Sequence, residues 1–470
     1  MLRLYMRNRR TRKVRRYTCA DDLTFEDCEL AILRQAVDYN EAHEKKAHAN
    51  QPEVTRMIEI VEQFLVATKC VCYGGIAINN ILPTDAQFYD HNIEIPDYDF
   101  YSPTPVKHAK ELADIFVKEG YQDVESRSGV HFGTYKVFVN FIPMADITDL
   151  HIDIFKTIQK EAIERNGVLY APANFLRMSM YLELSRPKGD VSRWEKVMKR
   201  LTLLNRYYPL TANKCRQIDF QRTMDKNQNL SEQLYYSIRD SLIDQNAVFF
   251  GGYASLLYSR YMPTRERKLV ESIPDFDVLS ENPDECAEYV KTNILALNIR
   301  QKVSIVKHEA IGEIIPEYSE ILIGKTDTLV CIYKPIACHN YNKLFMKSGK
   351  IIRVATIDCM LSFFLAFLYS NHDTKNERLL CMSQFLFDVE EKNRLAQKGL
   401  LKRFSMNCYG TQETLETLRA KKTEMYKTLK KNRDSEEYEK WFMKYNPTLK
   451  TNTKTKTKTK KKKSWFGNLF

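Results

Sequence analysis

The chain lacks the signatures of several function classes. Its 11 cysteines contain no C-x-x-C pair and stand at irregular spacings. With no Cys/His cluster at ligand spacing a zinc site is disfavoured, and the odd, scattered set predicts reduced, mostly buried thiols in an intracellular protein. No long apolar run is present. The longest, Cys359–Tyr369, covers 11 residues, too short to cross a bilayer and suited to a buried helix. The basic N-terminus is not followed by an apolar stretch, which predicts no secretory leader. Among only 15 glycines there is no G-x-G-x-x-G and no Walker lysine motif, which excludes a doubly wound nucleotide fold. Acidic residues are missing from both ends: residues 1–16 and 447–470 each hold eight Lys/Arg and no Asp or Glu, leaving 56 basic against 60 acidic residues between them. The net charge of +12 therefore resides in two tails, which read as a salt-sensitive grip on polyanions. The alternating Thr-Lys run at 453–460 cannot pack a core, and the apolar end Ser464–Phe470 is a candidate docking segment.

What is present is a motif that occurs twice. Residues 95–105 read I-P-D-Y-D-F-Y-S-P-T-P and residues 273–283 read I-P-D-F-D-V-L-S-E-N-P, identical at six of 11 positions. Each follows a glycine pair, Gly74-Gly75 or Gly251-Gly252, with 22 residues from the second glycine to the first aspartate in one copy and 23 in the other. This recurrence implies an internal duplication. The order strand, glycine pair, helix, D-x-D strand, helix, strand, helices predicts a mixed α/β fold in tandem, with helical N- and C-terminal flanks. The expected boundaries are a basic arm at 1–22, a helical segment at 23–50 and a catalytic domain at 51–210. A second, degenerate domain at 211–373, a helical region at 374–446 and a basic tail at 447–470 follow. Within the first copy Tyr135–Phe141 reads as a strand that Met144–Ile147 extends or bulges from.

Side chains at i and i+2 of a strand point the same way. Asp97 and Asp99 would therefore aim two carboxylates at one spot, as Mg²⁺ or Mn²⁺ sites require. Two such ions can align a hydroxyl with a phosphorus and steady a departing pyrophosphate. Gly74 and Gly75 would let backbone N–H groups approach triphosphate oxygens at a helix N-terminus. A third carboxylate must come from Asp146, Asp149 or Asp153. Aligning I-P-M-A-D at 142–146 with K-P-I-A-C at 334–338 favours Asp146 and puts Cys338 in its place in the second copy. That copy, with Asp275 and Asp277 but no third acid, is then inactive. Arg193, Lys196, Lys199 and Arg200 fall at helical spacing and are candidates for triphosphate or primer contacts. His91, His131 and His151 read as structural or exposed, and Cys70 and Cys72 as strand residues.

Gly74-Gly75, Asp97, Asp99 and Asp146 resemble the pattern of the DNA polymerase β-like nucleotidyltransferase superfamily. The wider set is more specific. Y-G-G-I-A-I-N-N at 73–80, the 95–105 motif, P-M-A-D-I-T at 143–148 and R-W-x-K at 193–196 resemble the catalytic subunit of poly(A) polymerases of large nucleocytoplasmic DNA viruses, nearer the giant-virus and asfarvirus side than the poxviruses. The resemblance covers about residues 50–440. It implies a catalytic domain followed by a degenerate copy, two divalent ions held by Asp97, Asp99 and Asp146, and ATP as substrate with Gly74, Gly75, Arg193 and Lys196 at its phosphates. It implies an RNA 3′ end as acceptor, either a homodimer or a separate processivity subunit, no membrane, and action in the virion and host cytoplasm. Alternatives are a tRNA 3′-end-adding or oligoadenylate-synthesising relative, and a non-catalytic RNA-binding scaffold.

Overall fold

The computed structural model describes residues 24–49, 51–89, 95–213, 215, 232–267, 275–370 and 376–447. The two terminal basic segments, apart from Pro447 at the edge of the tail, lie outside this set, as do His91 and the Ile273-Pro274 that opens the second motif. The chain forms two units, residues 1–58 with 89–96 and residues 59–88 with 97–470. In the first, Thr24 starts the helix Phe25–Ala49 by accepting the Asp27 N–H at 3.2 Å, with Glu26 and Asp27 at the positive end of the helix dipole. Pro52 opens the helix Pro52–Thr68, whose Ile60, Val61, Phe64 and Leu65 are buried at i, i+1, i+4 and i+5. No helix among the described residues is long and apolar enough to cross a membrane.

The larger unit holds two mixed sheets. The first is built from β1 (Val71–Cys72), β2 (Tyr98–Ser102), β3 (Val124–Ser128), β4 (Thr134–Val139), β5 (Ile142–Asp149), β6 (Ile163–Arg165) and β7 (Val168–Tyr170). The second is built from β8 (Val248–Phe249), β9 (Phe276–Leu279), β10 (Val303–His308), β11 (Tyr318–Ile323), β12 (Asp327–Tyr333), β13 (His339–Phe345) and β14 (Ile351–Ala355). Two C-terminal strands, β15 (Cys408–Tyr409) and β16 (Lys444–Tyr445), complete them. The orders are β16-β3-β4-β5-β2-β1-β7-β6 and β10-β11-β12-β9-β8-β14-β13-β15. Leaving out β15 and β16, the second order is the first with every strand advanced by seven. The pairing senses also agree: β1 is antiparallel to β2 and parallel to β7, as β8 is to β9 and β14, and β2 is parallel to β5 as β9 is to β12.

The expected extension of the strand at 135–141 is instead a reversal. Asn140 and Phe141 take φ of 49° and 65°, the left-handed pair of a tight hairpin turn, so β5 runs back along β4. A second hairpin, β6–β7, turns at Asn166-Gly167 with φ of 53° and 82°, the residue pair such turns favour. The C-terminal region is helical in the main, with Asn376–Lys392, Leu415–Leu429 and Glu436–Phe442, but it also edges both sheets through β15 and β16.

The thiol expectation holds for Cys70, Cys72, Cys286, Cys331 and Cys359, which are free and buried. It is corrected for Cys215–Cys381 and Cys338–Cys408, which are disulfides. Residues 166 and 70 apart in sequence are brought together there, which irregular spacing concealed.

Candidate active site

Alternation along β2 builds the site. Tyr98, Phe100 and Ser102 are buried on one face, which turns Asp99 and Tyr101 to the other. Parallel pairing with β5 places Asp99 opposite Asp146 and Tyr101 opposite Thr148. On the far side, β4 places Lys136 opposite Asp146 and Thr134 opposite Thr148. One sheet face therefore presents two carboxylates on adjacent strands, with Asp97 just before the first. Asp149 lies three residues further along, opposite Ser102, and Asp153 sits exposed in the first turn of the helix Ile152–Lys160. Neither of these reaches Asp99 as Asp146 does.

The three carboxyls are electrically coupled. Surrounding protein, then Asp146, push Asp97 up to about 6, and Lys136 opposes this. Burial, then Asp97 and Asp146, push Asp99 up to about 7, with Lys136 and Arg193 opposing. Lys136 is ion-paired to Asp146 Oδ2, while the buried Asp146 Oδ1 has no hydrogen-bond partner. Crowded carboxylates with a spare buried oxygen are the donor set a hard divalent cation suits. Among the described residues no group of three or more His, Cys, Asp or Glu stands close enough to hold an ion without adjustment. The Lys136 ammonium occupies one of the acceptors instead.

Gly74 fixes the floor of the site. Its φ is +70°, and a Cβ there would lie 2.6 Å from Asp99 Oδ2, so only glycine admits the carboxylate. Gly74 also begins the helix Gly74–Ile81, where Gly75 is buried. Just before it, the Tyr73 N–H donates to the Asp99 carbonyl at 2.9 Å. The Tyr73 ring stacks on Tyr101 with centroids 3.9 Å apart, and its hydroxyl lies 2.9 Å from Thr148 Oγ1. Arg193, in a turn before the helix Trp194–Tyr207, pairs with Glu183 at 3.2 Å and bears electrostatically on Asp99. Lys196 is exposed on that helix, Lys199 pairs with Glu195, and Arg200 lies over the Phe88 ring. His151 accepts the Asp153 N–H at the start of its helix, and burial pushes Cys70 up to about 11 and Cys72 higher, so both thiols stay protonated. Sequence reasoning passed over Lys136, Tyr73 and Tyr101, although strand alternation carried the signal for Lys136 once β4 was recognised as a hairpin strand.

The second sheet repeats the arrangement with altered chemistry. Gly251 sits against Asp277, where a Cβ would lie 2.1 Å from its Oδ2, and the Phe250 N–H donates to the Asp277 carbonyl at 3.0 Å. The residue opposite Asp277 on β12 is Cys331. The expected counterpart, Cys338, is corrected: it lies beyond the end of β12 and is bonded to Cys408. The shared P-x-A is thus not a structural equivalence, because Pro143 and Ala145 lie within β5 whereas Pro335 and Ala337 follow the end of β12. Asp275 is buried 3.8 Å from the Arg378 guanidinium.

Residues 59–190 match the family model described as "Poly(A) polymerase catalytic subunit". Over 172 residues the chain is 31% identical to an African swine fever virus (strain Badajoz 1971 Vero-adapted) protein provisionally named a poly(A) polymerase catalytic subunit, covering 35% of this chain and 36% of that one. Over 178 residues it is 32% identical to an Acanthamoeba polyphaga mimivirus protein of the same provisional name, covering 37% and 29%. The chain thus spans about a third of the length of the relatives it matches. The crystal structure of the Megavirus polyadenylate synthase superposes with a TM-score of 0.73 at 19% identity, covering 98% of this chain and 94% of that one. That likeness establishes a common fold.

Proposed function

We propose that this chain is a template-independent RNA 3′-end polyadenylating enzyme, transferring AMP from ATP to an RNA 3′-hydroxyl and releasing pyrophosphate. The observation that carries the reading is the pairing of Asp99 with Asp146 across β2 and β5, beside Asp97 and against Gly74. The match of residues 59–190 to the poly(A) polymerase family supports it.

Asp97, Asp99 and Asp146 would hold the divalent ions, Mg²⁺ or Mn²⁺, which when bound supply charge compensation at the attacking and departing oxygens. The chain's own residues do the rest. Gly74 and Gly75 bring helix N-terminal N–H groups to the triphosphate. Arg193, and more distantly Lys196, add positive charge on the phosphate side. The 3′-oxygen bonds to the α-phosphorus as the bond from that phosphorus to the bridging oxygen of the pyrophosphate breaks. The hydroxyl proton passes to the carboxylate side, where Asp146 Oδ1 has no other partner. Lys136, paired with Asp146 Oδ2, would have to release that oxygen for it to serve as a metal ligand.

The second sheet is a degenerate copy of the first in this reading, supported by the common strand order and by glycine pressed on aspartate in both. The division into a catalytic domain at 51–210 and a copy at 211–373 follows from it. Association with a separate subunit accords with the relatives' name as catalytic subunits, and action inside a virus-infected cell with their sources; a homodimer is the alternative.

The test is incubation of the full chain with an end-labelled oligoribonucleotide and each nucleoside triphosphate separately. Long tails from ATP alone are expected. A short fixed addition, or a product made without primer, would assign it to another nucleotidyltransferase class. RNA binding with no transfer would leave a scaffold.

A further inference from the structure

The C-terminal helices carry a feature that the chemistry above does not use. Residues 415–433 hold seven Lys/Arg against two Glu. Arg419, Lys427 and Lys430 fall at i, i+8 and i+11, on one side of the helix Leu415–Leu429 and its C-cap, and all three are exposed. Thr423 and Tyr426 share that side, while Leu418 and Leu429 are buried on another. Glu416 and Glu424 are the acids on this helix. On the following helix, Glu436 and Glu439 are taken up by ion pairs with Lys440 and Lys110.

Beside this stripe runs a row of four aromatic rings. Phe132, in the β3–β4 turn, lies 4.4 Å centroid to centroid from Trp441. Trp441 is 6.4 Å from Phe442, and Phe442 is 5.5 Å from Tyr426. Phe132 and Tyr426, the two ends, are 41% and 39% exposed. Cations accompany the row. The Lys422 ammonium lies 5.9 Å from the Phe442 centroid, and Arg433 donates to the Tyr426 hydroxyl at 3.1 Å.

The row is fastened to the sheet that holds Asp99 and Asp146. Lys422 donates to the Gly129 carbonyl at 2.8 Å, the Tyr135 hydroxyl to the Lys440 carbonyl at 2.8 Å, and β16 pairs with β3. Two residues past Phe132, Thr134 Oγ1 lies 3.1 Å from Thr148 Oγ1, which in turn meets the Tyr73 hydroxyl. The Phe132 end of the row is thus the end nearer the carboxylates.

A row of rings exposed at both ends and half-buried between, with cations alongside, suits a single-stranded nucleic acid, whose bases stack while its phosphates meet the charges. A lipid surface or an acidic protein would use the charges and leave the spaced rings without a role. We infer that the Phe132–Trp441–Phe442–Tyr426 row and its basic stripe form a track for single-stranded RNA upstream of the 3′ end, with the strand entering at Tyr426 and leaving toward the carboxylates at Phe132. Its direction rests on the polyadenylation reading; its occupancy by a single strand does not.

The test is fluorescence anisotropy of a labelled single-stranded oligoribonucleotide with the full chain over a range of salt, beside a tailing assay. Phe132→Ala weakens binding roughly tenfold, and Phe132→Tyr, which keeps a ring, restores it. Replacing Arg419, Lys427 and Lys430 together by Ala makes the slope of log affinity against log salt shallower by about 2. A control pair, Lys343→Ala with Lys347→Ala on the β13–β14 hairpin, has a smaller effect. Thiouridine-substituted RNA crosslinks to Phe132 or Trp441. Equal binding of duplex RNA and single strand, unaffected by ring loss, would reduce the surface to a polyanion grip and overturn the track, as would charge loss no greater than the control. Tailing with RNA affinity indifferent to these changes sinks the track and leaves the function standing. Ring-dependent binding with no transfer of AMP does the reverse.

Discussion

The two sheets of the larger unit use one strand order to hold two different sites. In the first, Asp99 faces Asp146, and burial with neighbouring carboxylates pushes Asp97 up to about 6 and Asp99 up to about 7. In the second, Asp277 faces Cys331, and Asp275 is buried against Arg378. The glycine contact is kept in both, Gly74 on Asp99 and Gly251 on Asp277. The backbone approach therefore belongs to the fold, while the third acid and the absence of a buried counter-cation belong to the chemistry. On the proposal that the second sheet is a degenerate copy, a thiol where the first has an acid, and a guanidinium set on Asp275, would give up a cation site and settle the core.

The sharpest way to break the comparison is to neutralise one carboxylate in each half. Asp99→Asn and Asp146→Asn are each expected to lower AMP transfer on the order of a thousandfold, the several kcal/mol that metal-assisted charge compensation supplies. Asp277→Asn should leave turnover per folded molecule unchanged. Primer-extension rates on all three variants decide it. A large loss from Asp277→Asn would mean that the second sheet takes part in the chemistry.

The glycines come next. A Cβ at Gly74 would lie 2.6 Å from Asp99 Oδ2, and at Gly251 it would lie 2.1 Å from Asp277 Oδ2. Gly251→Ala overpacks a buried contact and should cost about 1–3 kcal/mol of stability, read as a drop in melting temperature with normal turnover. Gly74→Ala displaces a catalytic carboxylate, and a misplacement of about 1 Å is worth around a hundredfold in rate. Equal loss of activity from both would erase the distinction between the halves.

The halves should also answer pH with opposite sign. Asp97 and Asp99 are raised to about 6 and about 7. Such carboxyls favour the folded state while protonated, so the metal-free melting temperature should fall as pH rises from about 4 to about 7. Burial, then Arg186, lowers His339 to about 3 in the second sheet. A neutral buried imidazole contributes its full stability above its unfolded value near 6.5 and loses it as pH falls toward 3. Melting curves of Asp99→Asn should lose the upper part of the first limb and keep the part that Asp97 contributes, and those of His339→Leu should lose the second. Divalent ions should stabilise the wild type more at pH 8 than at pH 5, because protons compete for the same oxygens.

Where the sequence was readable, it was through local rules that tertiary packing had no reason to override. Asp97, Asp99 and Gly74 followed from strand alternation and a glycine pair, and Asp146 from the same logic on a neighbouring strand. The β6–β7 hairpin was written in Asn166-Gly167 and could have been read. The β4–β5 reversal was harder, because Asn140-Phe141 puts a bulky residue at φ of 65°, against the usual turn chemistry. The Cys338 alignment failed for a geometric reason: strand partners are set by register, and the shared P-x-A lies inside β5 in one half but beyond the end of β12 in the other. Contacts across long separations, such as Lys422 to Gly129 or Cys338 to Cys408, have no local signal at all.

The smallest expected effect separates two cations that sequence spacing treated alike. Arg193 bears on Asp99 and is oriented by Glu183 at 3.2 Å, whereas Lys196 stands one turn further along; both are exposed. Exposed charges are screened beyond roughly a Debye length of 8 Å at physiological salt, so the one that bears on the carboxylates counts for more. Arg193→Ala should therefore lower kcat/KM for ATP by about tenfold and Lys196→Ala by no more than about twofold. Raising the salt should shrink both effects, since both side chains are open to solvent. The first sheet then depends on a guanidinium placed near its carboxylates but not on them. Arg378, on the helix Asn376–Lys392, is the contrasting case: a guanidinium set directly on a carboxylate, Asp275, where it leaves less room for a bound ion.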